Sequence, residues 1–359
     1  MTQNPPPPSA QVTAAVIRLG ALGDLVHLAA SVQTLRRVVP ESSLIWLTRS
    51  GFFPLISAID DTIEPWRWPE KSFALYGQLL TCSNRLKASG VTHVINAHPS
   101  FKTRCLTASL AARFVKTATY RKEKLSSRGE SVRNQSRRHA VENFYAAFKQ
   151  LPSLRGLLPE KPDAPQLNIP AYWPQEGLEF ERPSVILLPG VGQKRPNRAW
   201  PISSWSTLIQ SLLQETSYDV CVLGGAEESL LLPCLQETTP ASHRIWWAIP
   251  NALFSGLSLQ GLLQTLHRAR LVIGADTGPL HVAAALGVPT LGLYGPTDVR
   301  RTGPRGAHPE IIQAVTPPAC LNCWPCERSV CPDSEPSCMS QIQVSQVLDL
   351  AKKMFQAGC

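Results

Sequence analysis

The stretch Ile273-Gly274-Ala275-Asp276-Thr277-Gly278-Pro279-Leu280-His281 decides the fold class of this chain. Its pattern predicts a buried strand, a tight turn, and a helix that opens at Pro279, where proline is tolerated because its missing N–H would be unpaired anyway. The first turn of such a helix leaves backbone N–H groups without partners and carries a partial positive charge. We therefore expect a phosphate group at this turn, and nucleotide-linked chemistry with it.

The composition is that of a globular protein with an anionic partner. The chain has 359 residues, of which 43% are hydrophobic and 17% charged, so two domains are expected. Its net charge of +9 favours a nucleotide, a phosphorylated glycan, a nucleic acid or an acidic membrane face as partner. Residues 1–11 predict a flexible leader and not a signal peptide. Because no apolar run approaches the ~20 residues of a membrane span, we predict a cytoplasmic protein with reduced cysteines.

Strands and helices alternate in both halves of the chain. The first half has predicted strands at 14–19, 44–47 and 93–96, a helix from Asp24 that ends before Pro40, and a helix at 105–114. The second half has predicted strands at 185–188, 220–223, 271–274 and 290–293. This alternation predicts an α/β protein whose two Rossmann-like domains carry parallel sheets and face each other across a cleft. Ligands of such sheets bind outside the carboxyl ends of the strands.

The predicted domain boundaries follow changes in composition. Residues 1–11 are the leader, 12–165 the first domain, 166–184 a proline-rich linker and 185–340 the second domain. Residues 341–359 contain a packing helix, for which a return to the first domain is one option. A basic run ending at Arg138 has few apolar residues and predicts a mobile loop.

The segment Gly20-Ala21-Leu22-Gly23-Asp24 joins the first strand to the first helix. Asp24 is either an N-cap residue or a carboxylate that accepts a proton from a substrate hydroxyl. A dinucleotide fingerprint is a poor match, because the spacing is G-x-x-G and not G-x-G-x-x-G.

Two further loops follow predicted strands in the second half. The first runs from Pro189 to Pro201 and carries Gly190, Lys194 and Arg198. It either neutralises a diphosphate leaving group or is a solvated basic loop. The second contains Glu227 and Glu228, which either hold ribose hydroxyls or simply favour the first turn of a helix.

The cysteines near the end of the chain leave several interpretations open. Their spacing is Cys320-x2-Cys323-x2-Cys326-x4-Cys331, with Cys338 beyond. An iron–sulfur run would be one residue shorter, and structural zinc usually has two C-x2-C pairs. Plain thiols, zinc, a cluster and disulfides all remain possible for this group.

Taken together, the motifs resemble one known family over residues 16–347. They are Gly20-x-x-Gly23-Asp24, Arg198-Ala199-Trp200-Pro201, Asp276-Thr277-Gly278-x-x-His281 and Tyr294-Gly295-Pro296-Thr297-Asp298. The chain resembles the ADP-heptose:lipopolysaccharide heptosyltransferases of glycosyltransferase family 9. The resemblance implies a GT-B fold, with the acceptor bound mainly by the first domain and the nucleotide-sugar by the second. It also implies inverting transfer without a metal ion or other cofactor.

The resemblance also implies roles for individual residues. Asp24 matches the general base and Arg198 the group that neutralises the departing diphosphate. The implied donor-binding residues are Gly190, Glu228, Leu257, Asp276, Thr277, Gly278 and His281. The implied acceptor-binding residues are Gly23, Lys102, Arg121, Arg128 and Arg137. The partners would be an ADP-heptose-like donor and an anionic glycolipid or glycan, with peripheral contact with the inner face of the cytoplasmic membrane as an option.

Some residues depart from the family pattern, and two other functions compete. Asn96-Ala97-His98 stands where many members have Asp-x-Gln, and Ala29-Ala30 replaces a proline-containing stretch. One competing function is the same fold with another nucleotide-sugar and glycan acceptor. The other is a metal-stabilised nucleic-acid-binding protein, which would show steep salt dependence but leaves the 276–281 turn without a purpose. We therefore expect no nucleic-acid partner.

Overall fold

Two compact units, each built on one parallel sheet, make up the protein. The computed structural model describes residues 12–69, 75–113, 115–121, 138–192, 195–225, 231–248, 256–313 and 338–357. Contacts divide the chain into unit 1 (1–20, 28–123, 141–163) and unit 2 (21–27, 124–140, 164–359). The predicted α/β class with two parallel sheets is confirmed.

The sheet of unit 1 has the strand order β3-β2-β1-β4-β5, and that of unit 2 has the order β11-β10-β9-β6-β7-β8. All neighbouring strands pair in parallel. The bounds are β1 Thr13–Ile17, β2 Ser43–Thr48, β3 Glu64–Arg67, β4 His93–Asn96, β5 Lys116–Thr119, β6 Ser184–Leu188, β7 Asp219–Leu223, β8 Ile245–Ala248, β9 Leu271–Ala275, β10 Thr290–Tyr294 and β11 Pro309–Gln313.

Helices connect most of these strands within the described ranges. They are α1 Leu22–Val38, α2 Phe53–Ile59, α3 Leu75–Ala88, α4 Phe101–Ala111, α5 Ala140–Phe148, α6 Pro152–Arg155, α7 Ile202–Glu215, α8 Leu231–Thr238, α9 Leu259–His267, α10 Gly278–Ala285, α11 Val299–Thr302 and α12 Val344–Ala357. A short 3-10 turn at Pro196–Arg198 precedes α7. The central strands β6 and β9 are buried along their whole length, as expected for a parallel sheet covered on both faces.

In each sheet, successive strands are added on one side of the first strand and then on its other side, and the place of this change is the topological switch point. In unit 1 it lies between β1 and β4, and in unit 2 between β6 and β9. At a switch point the loops after the two strands diverge to opposite faces of the sheet and leave a crevice. The segments after β6 and β9 are the two glycine-containing turns that the sequence singles out.

The predicted elements are present, with shifts of a few residues at their ends. The helix expected from Asp24 begins at Leu22, and the one expected at 105–114 spans Phe101–Ala111. Four short strands, β3, β5, β8 and β11, were not predicted. All four lie at sheet edges, and β3, β5 and β11 also carry charged residues, so the apolar signal of these three is weak. The predicted basic loop lies mostly in residues 122–137, outside the described residues.

The carboxyl-terminal helix α12 packs within unit 2. Val347, Ala351 and Phe355 join the core that also holds Trp205 and Leu208 of α7. The ring of Phe355 contacts that of Tyr218 with centroids 4.5 Å apart. The apolar stripe of α12 is buried against α7 and β9, and the option that this helix also returns to the first domain stays a prediction.

The unit boundaries also differ from the predicted ones. Residues 21–27, at the start of α1, and 138–140, before α5, group with unit 2, although the prediction assigned both to the first domain. His139 explains the second difference, because it is buried and its Nε2 lies 2.8 Å from the backbone oxygen of Gly303. Unit 1 ends at Asp163, two residues before the predicted end of the first domain at residue 165.

Burial lowers the pKa of His139 from 6.5 to about 4, with the positive charge of Arg305 acting in the same direction. The folded protein therefore keeps this imidazole neutral where the unfolded chain would protonate it. Since the unfolded state binds more protons between pH 6.5 and 4, His139 makes unit 2 less stable as the pH falls through that window.

We expect His139→Gln to flatten this pH dependence. The amide can still donate to Gly303 but cannot titrate. The difference in unfolding free energy between pH 7 and pH 4.5 should shrink by about 2–3 kcal/mol, measured by urea unfolding at both pH values. The exposed His308→Gln is the control and should leave the difference unchanged. If the His139→Gln protein lost as much unfolding free energy between pH 7 and pH 4.5 as the wild type, His139 would not be the source of the pH dependence.

Candidate functional site

A cavity of about 500 Å³ opens at the switch point of unit 2. We call it the unit 2 cavity. Its walls come from the carboxyl ends of β6 to β9 and from the amino termini of α1 and α10, all of which belong to unit 2. The lining residues are Ala21, Leu22, Gly23, Leu188, Gly190, Val191, Gly192, Leu223, Gly224, Gly225, Ala248, Leu257, Leu262, Asp276, Thr277, Gly278 and Pro279. The volume suits a nucleotide-sized ligand.

One end of the unit 2 cavity is built to receive an anion. Thr277 is the N-cap residue of α10, and Pro279 occupies its first turn. The Thr277 hydroxyl does not cap the helix, and its buried Oγ1 makes no hydrogen bond to any part of the chain that the structure describes. A hydroxyl and free N–H groups at a helix start are donors suited to phosphate oxygens.

The opposite wall of the unit 2 cavity is apolar. Leu223, Ala248, Leu257 and Leu262 line it, together with the glycine pair 224–225 after β7. Leu257 directly precedes Ser258, whose side chain accepts a hydrogen bond from the Gly261 N–H and so caps α9. A flat, apolar group such as a nucleobase fits a surface of this kind.

The amino termini of α1 and α10 touch through two glycines. A Cβ on Gly23 would lie 2.9 Å from Cδ2 of His281, and a Cβ on Gly278 would lie 2.8 Å from Cβ of Leu22. Both distances are shorter than packed atoms allow, so only glycine permits this approach. The contact holds two positively polarised helix ends against the same cavity.

Asp276 is the centre of a buried polar cluster that we call the Asp276 network. Its Oδ2 lies 2.9 Å from Nη1 of Arg198 and 3.3 Å from the Thr302 hydroxyl. Its Oδ1 lies 3.2 Å from Nε2 of His281 and 3.4 Å from the Tyr294 hydroxyl. Arg198 also donates to the backbone oxygen of Asp276, at 3.3 Å. Both carboxylate oxygens are therefore occupied by side chains of the protein.

The environment keeps Asp276 ionised. Burial by itself would raise the pKa of this carboxyl, but the hydrogen bond and charge of His281, the charge of Arg198 and a bond from Thr297 outweigh it. The net result is a lowered pKa for Asp276. The same surroundings raise the pKa of Tyr294 well above 10, through burial first and the negative charge of Asp276 second, so its hydroxyl remains a donor. An ionised carboxylate in turn fixes the guanidinium of Arg198.

Most predicted donor-side residues come together here. Gly190, Leu257, Asp276, Thr277 and Gly278 line the unit 2 cavity, while Arg198 and His281 hold Asp276. Asp276 itself was expected to hold sugar hydroxyls or the turn; in the structure its oxygens contact Arg198 and His281, and its role stays a prediction. Glu228 and Lys194 lie outside the described residues.

Gly23 lines the unit 2 cavity, and Asp24 is the next residue along α1 but is not among the lining residues. Gly23 was expected on the acceptor side, but it lines the unit 2 cavity next to Gly278. Asp24 is half-buried in the first turn of α1. Because α1 begins at Leu22, Asp24 lies inside the helix and is not its N-cap residue.

A second cavity, of about 1040 Å³, opens at the switch point of unit 1. This unit 1 cavity is lined by Leu19, Arg49, Arg67, Trp68, Pro69, Gln78, His98, Ser100 and Lys102. Three of these side chains are cations, and none of the described lining residues is acidic. The buried Oε1 of Gln78 makes no hydrogen bond within the described parts of the chain.

Among the predicted acceptor-side residues, Lys102 lines the unit 1 cavity. Arg121 follows β5 at the same edge of the sheet but is not among the lining residues. Arg128 and Arg137 lie outside the described residues.

The cysteine cluster stays a prediction. Cys320, Cys323, Cys326 and Cys331 lie outside the described residues, and Cys338 is buried beside Gly295. Within the described ranges, no group of three or more His, Cys, Asp or Glu side chains is arranged to hold a metal ion. In the same ranges, no helix has both the length and the apolar character needed to cross a bilayer.

Sequence reasoning missed several members of the Asp276 network and of the unit 1 cavity. Tyr294 was noted only as part of a family-like segment, and Thr302 was not noted at all. Arg49 directly follows β2, and Arg67 is the last residue of β3. A cation at the carboxyl end of a strand is a signal that the sequence does contain. The edge strand β3 was not predicted, so this signal could not be used for Arg67.

Comparisons with known proteins agree with the fold and the motifs. The family model of glycosyltransferase family 9 (heptosyltransferase) matches residues 80–331, more than half of the chain. Lipopolysaccharide heptosyltransferase 1 of Pseudomonas aeruginosa is 27% identical over 340 residues, which cover 88% of this chain and 86% of that protein.

Two solved structures are also similar. The ADP-heptose lipopolysaccharide heptosyltransferase II of Escherichia coli has a TM-score of 0.74 at 18% identity, over 97% of this chain and 99% of that one. The E. coli heptosyltransferase WaaC with ADP has a TM-score of 0.65 at 19% identity, over 96% of this chain and 100% of that one. The chain belongs to glycosyltransferase family 9, the heptosyltransferase family, and is a glycosyltransferase with the GT-B fold.

Proposed function

We propose that this glycosyltransferase moves a heptose from an ADP-linked donor to the lipopolysaccharide core, with inversion and without a metal ion. The observation that carries this proposal is the unit 2 cavity, which joins an apolar wall to a helix start with an unsatisfied Thr277 hydroxyl. A nucleoside diphosphate sugar has the matching order of groups, namely a base, a diphosphate and a sugar. Family membership and the relatives named for lipopolysaccharide heptosyl transfer support the choice of sugar and acceptor.

The donor would lie with its adenine against Leu257 and Leu262 and its diphosphate at the start of α10. The Thr277 hydroxyl and the first N–H groups of α10 would donate to phosphate oxygens. The guanidinium of Arg198, held in place by Asp276, would supply the positive charge that stabilises the departing diphosphate. This is the charge that a metal ion supplies in other transferases.

Asp24 would act as the general base. Its carboxylate takes the proton of the acceptor hydroxyl while the hydroxyl oxygen attacks the anomeric carbon of the sugar. The bond from that carbon to the diphosphate oxygen breaks, and its electron pair leaves with ADP. A single displacement of this kind places the new bond on the opposite face of the sugar ring and therefore inverts the anomeric configuration.

The unit 1 cavity is our proposed acceptor site. Arg49, Arg67 and Lys102 would pair with the acidic groups of a lipopolysaccharide core, while Ser100 and the Gln78 amide would bond to hydroxyls. The exposed Phe101 lies next to Lys102 at the start of α4, which favours peripheral contact with a membrane surface. That contact and the cytoplasmic location stay predictions.

The transfer itself can be tested with purified protein. We expect it to add one heptose to a heptose-deficient lipopolysaccharide core when ADP-heptose is the donor, as detected by mass spectrometry of the product. ADP-glucose and UDP-glucose serve as matched donors that change the sugar or the nucleotide. A product formed only with one of these would support the same fold with another donor, and no product with any donor would contradict the proposal.

Two variants should distinguish the catalytic step from donor binding, namely Asp24→Asn and Arg198→Gln. Asp24→Asn removes the base but no contact to the diphosphate, so turnover should fall by about 100-fold or more while ADP affinity is unchanged. Arg198→Gln keeps an amide for Asp276 but loses the charge, so ADP should bind about tenfold more weakly. Turnover and calorimetry measure the two effects. Full turnover in Asp24→Asn, or unchanged ADP affinity in Arg198→Gln, would remove that residue's role.

Arg67→Gln and Lys102→Gln should weaken acceptor binding only. Each removes one cation from the unit 1 cavity, so the KM for the acceptor should rise about tenfold while the KM for the donor stays the same. Lys116→Gln is the matched control, because it removes the same charge from the opposite, amino-terminal edge of the same sheet. An acceptor KM that changes equally in all three variants would point to general charge and not to this cavity.

A further inference from the structure

Three histidine rings form a buried column beside the Asp276 network. The middle one, His27, lies on α1 three residues after Asp24, so the two side chains share one side of the helix. Its ring is packed against that of His281, with centroids 4.5 Å apart, and against that of His139, with centroids 5.2 Å apart. All three residues are at most 5% exposed.

Both neighbours of His27 are tied to the Asp276 network. His281 is part of it, through the 3.2 Å contact between its Nε2 and Oδ1 of Asp276. His139 donates from Nε2 to the backbone oxygen of Gly303, the residue after Thr302, whose hydroxyl lies 3.3 Å from Asp276. The His27 ring therefore lies between two groups that the network holds in place.

The backbone around His27 leaves little room for movement. Gly23 lies directly against His281, and Gly278 lies directly against Leu22, so the starts of α1 and α10 are already in close contact. The His27 ring, four residues after Gly23 on α1, also contacts His281. Because protein interiors are close-packed, a shift of one of these rings would displace its neighbours.

We propose that His27 is a positioning residue that keeps the turn carrying Asp24 in register with the diphosphate-binding turn of α10. It is not among the described residues that line the unit 2 cavity, so it acts through His281 and Asp276 on Arg198, and through α1 on Asp24. The inference rests on the proposed function, since it needs a diphosphate at α10. A histidine that only filled space would stabilise the fold but would not affect the positions of Asp24 and the α10 turn.

The affinity for ADP compared with that for AMP separates these roles, because AMP lacks the second phosphate. In His27→Ala, His281 loses the ring that supports it and the network loosens around Arg198. We expect ADP affinity to fall about tenfold with AMP affinity unchanged. We also expect kcat to fall about 10- to 100-fold, because a small misplacement of Asp24 impairs proton transfer. His27→Phe restores a ring of similar size and should recover most of both quantities.

Leu35→Ala is the matched control. Leu35 lies on the same helix, is fully buried and loses a side chain of similar size. It should lower the stability of the protein without changing the ADP-to-AMP affinity ratio or kcat, both measured well below the unfolding temperature.

Three results would overturn the inference. One is a His27→Ala protein that is less stable but keeps the wild-type affinity ratio and kcat. Another is a His27→Phe protein that behaves like His27→Ala. The third is a wild-type protein that binds ADP no better than AMP, which would remove the proposed diphosphate site and the role of His27 with it. The first two results leave the proposed function intact.

Discussion

The ionised carboxylate of Asp276 is the interaction on which the site in unit 2 depends. A buried charge is unfavourable unless it is paired and hydrogen-bonded, and Asp276 meets both conditions through Arg198, His281, Tyr294 and Thr302. The carboxylate joins the 3-10 turn after β6, the helix α10, the end of β10 and the short α11. Removing any partner would leave charge or polarity buried without compensation. These contacts hold the turn between β9 and α10 in one arrangement.

The same pairing explains how a carboxylate can lie beside the proposed phosphate site. Asp276 is surrounded by protein donors, so its negative charge does not repel a diphosphate as an unpaired carboxylate would. Instead it orients Arg198, while burial first and the charge of Asp276 second raise the pKa of Tyr294 and keep its hydroxyl protonated. The Thr277 hydroxyl and the start of α10 remain for the ligand. Donors that are preorganised in this way can stabilise the negative charge that develops on a leaving group during a reaction.

Both units follow one topological rule. Each parallel sheet changes direction once, and each cavity lies where it does so. The two cavities differ in chemistry. The unit 2 cavity joins apolar residues to helix N-termini, whereas the unit 1 cavity is lined by three cations. Ala21 and the first six residues of α1 group with unit 2, so Asp24 belongs to the same compact unit as the turn between β9 and α10.

The sequence by itself determined the α/β class, the main strands, and the turns at Gly23, Gly190 and Thr277, because these signals are local. Buried strands such as β6 and β9 are continuous apolar runs, and the turns carry glycine or proline where the backbone needs them. Edge strands such as β3 and β11 carry mixed residues and gave too weak a pattern. Only the tertiary structure decided that α12 packs on unit 2, that Arg67 joins Lys102 in one cavity, and that His27, His139 and His281 meet. These contacts join residues far apart in the chain, and no periodicity or spacing encodes which distant side chains will share a buried surface.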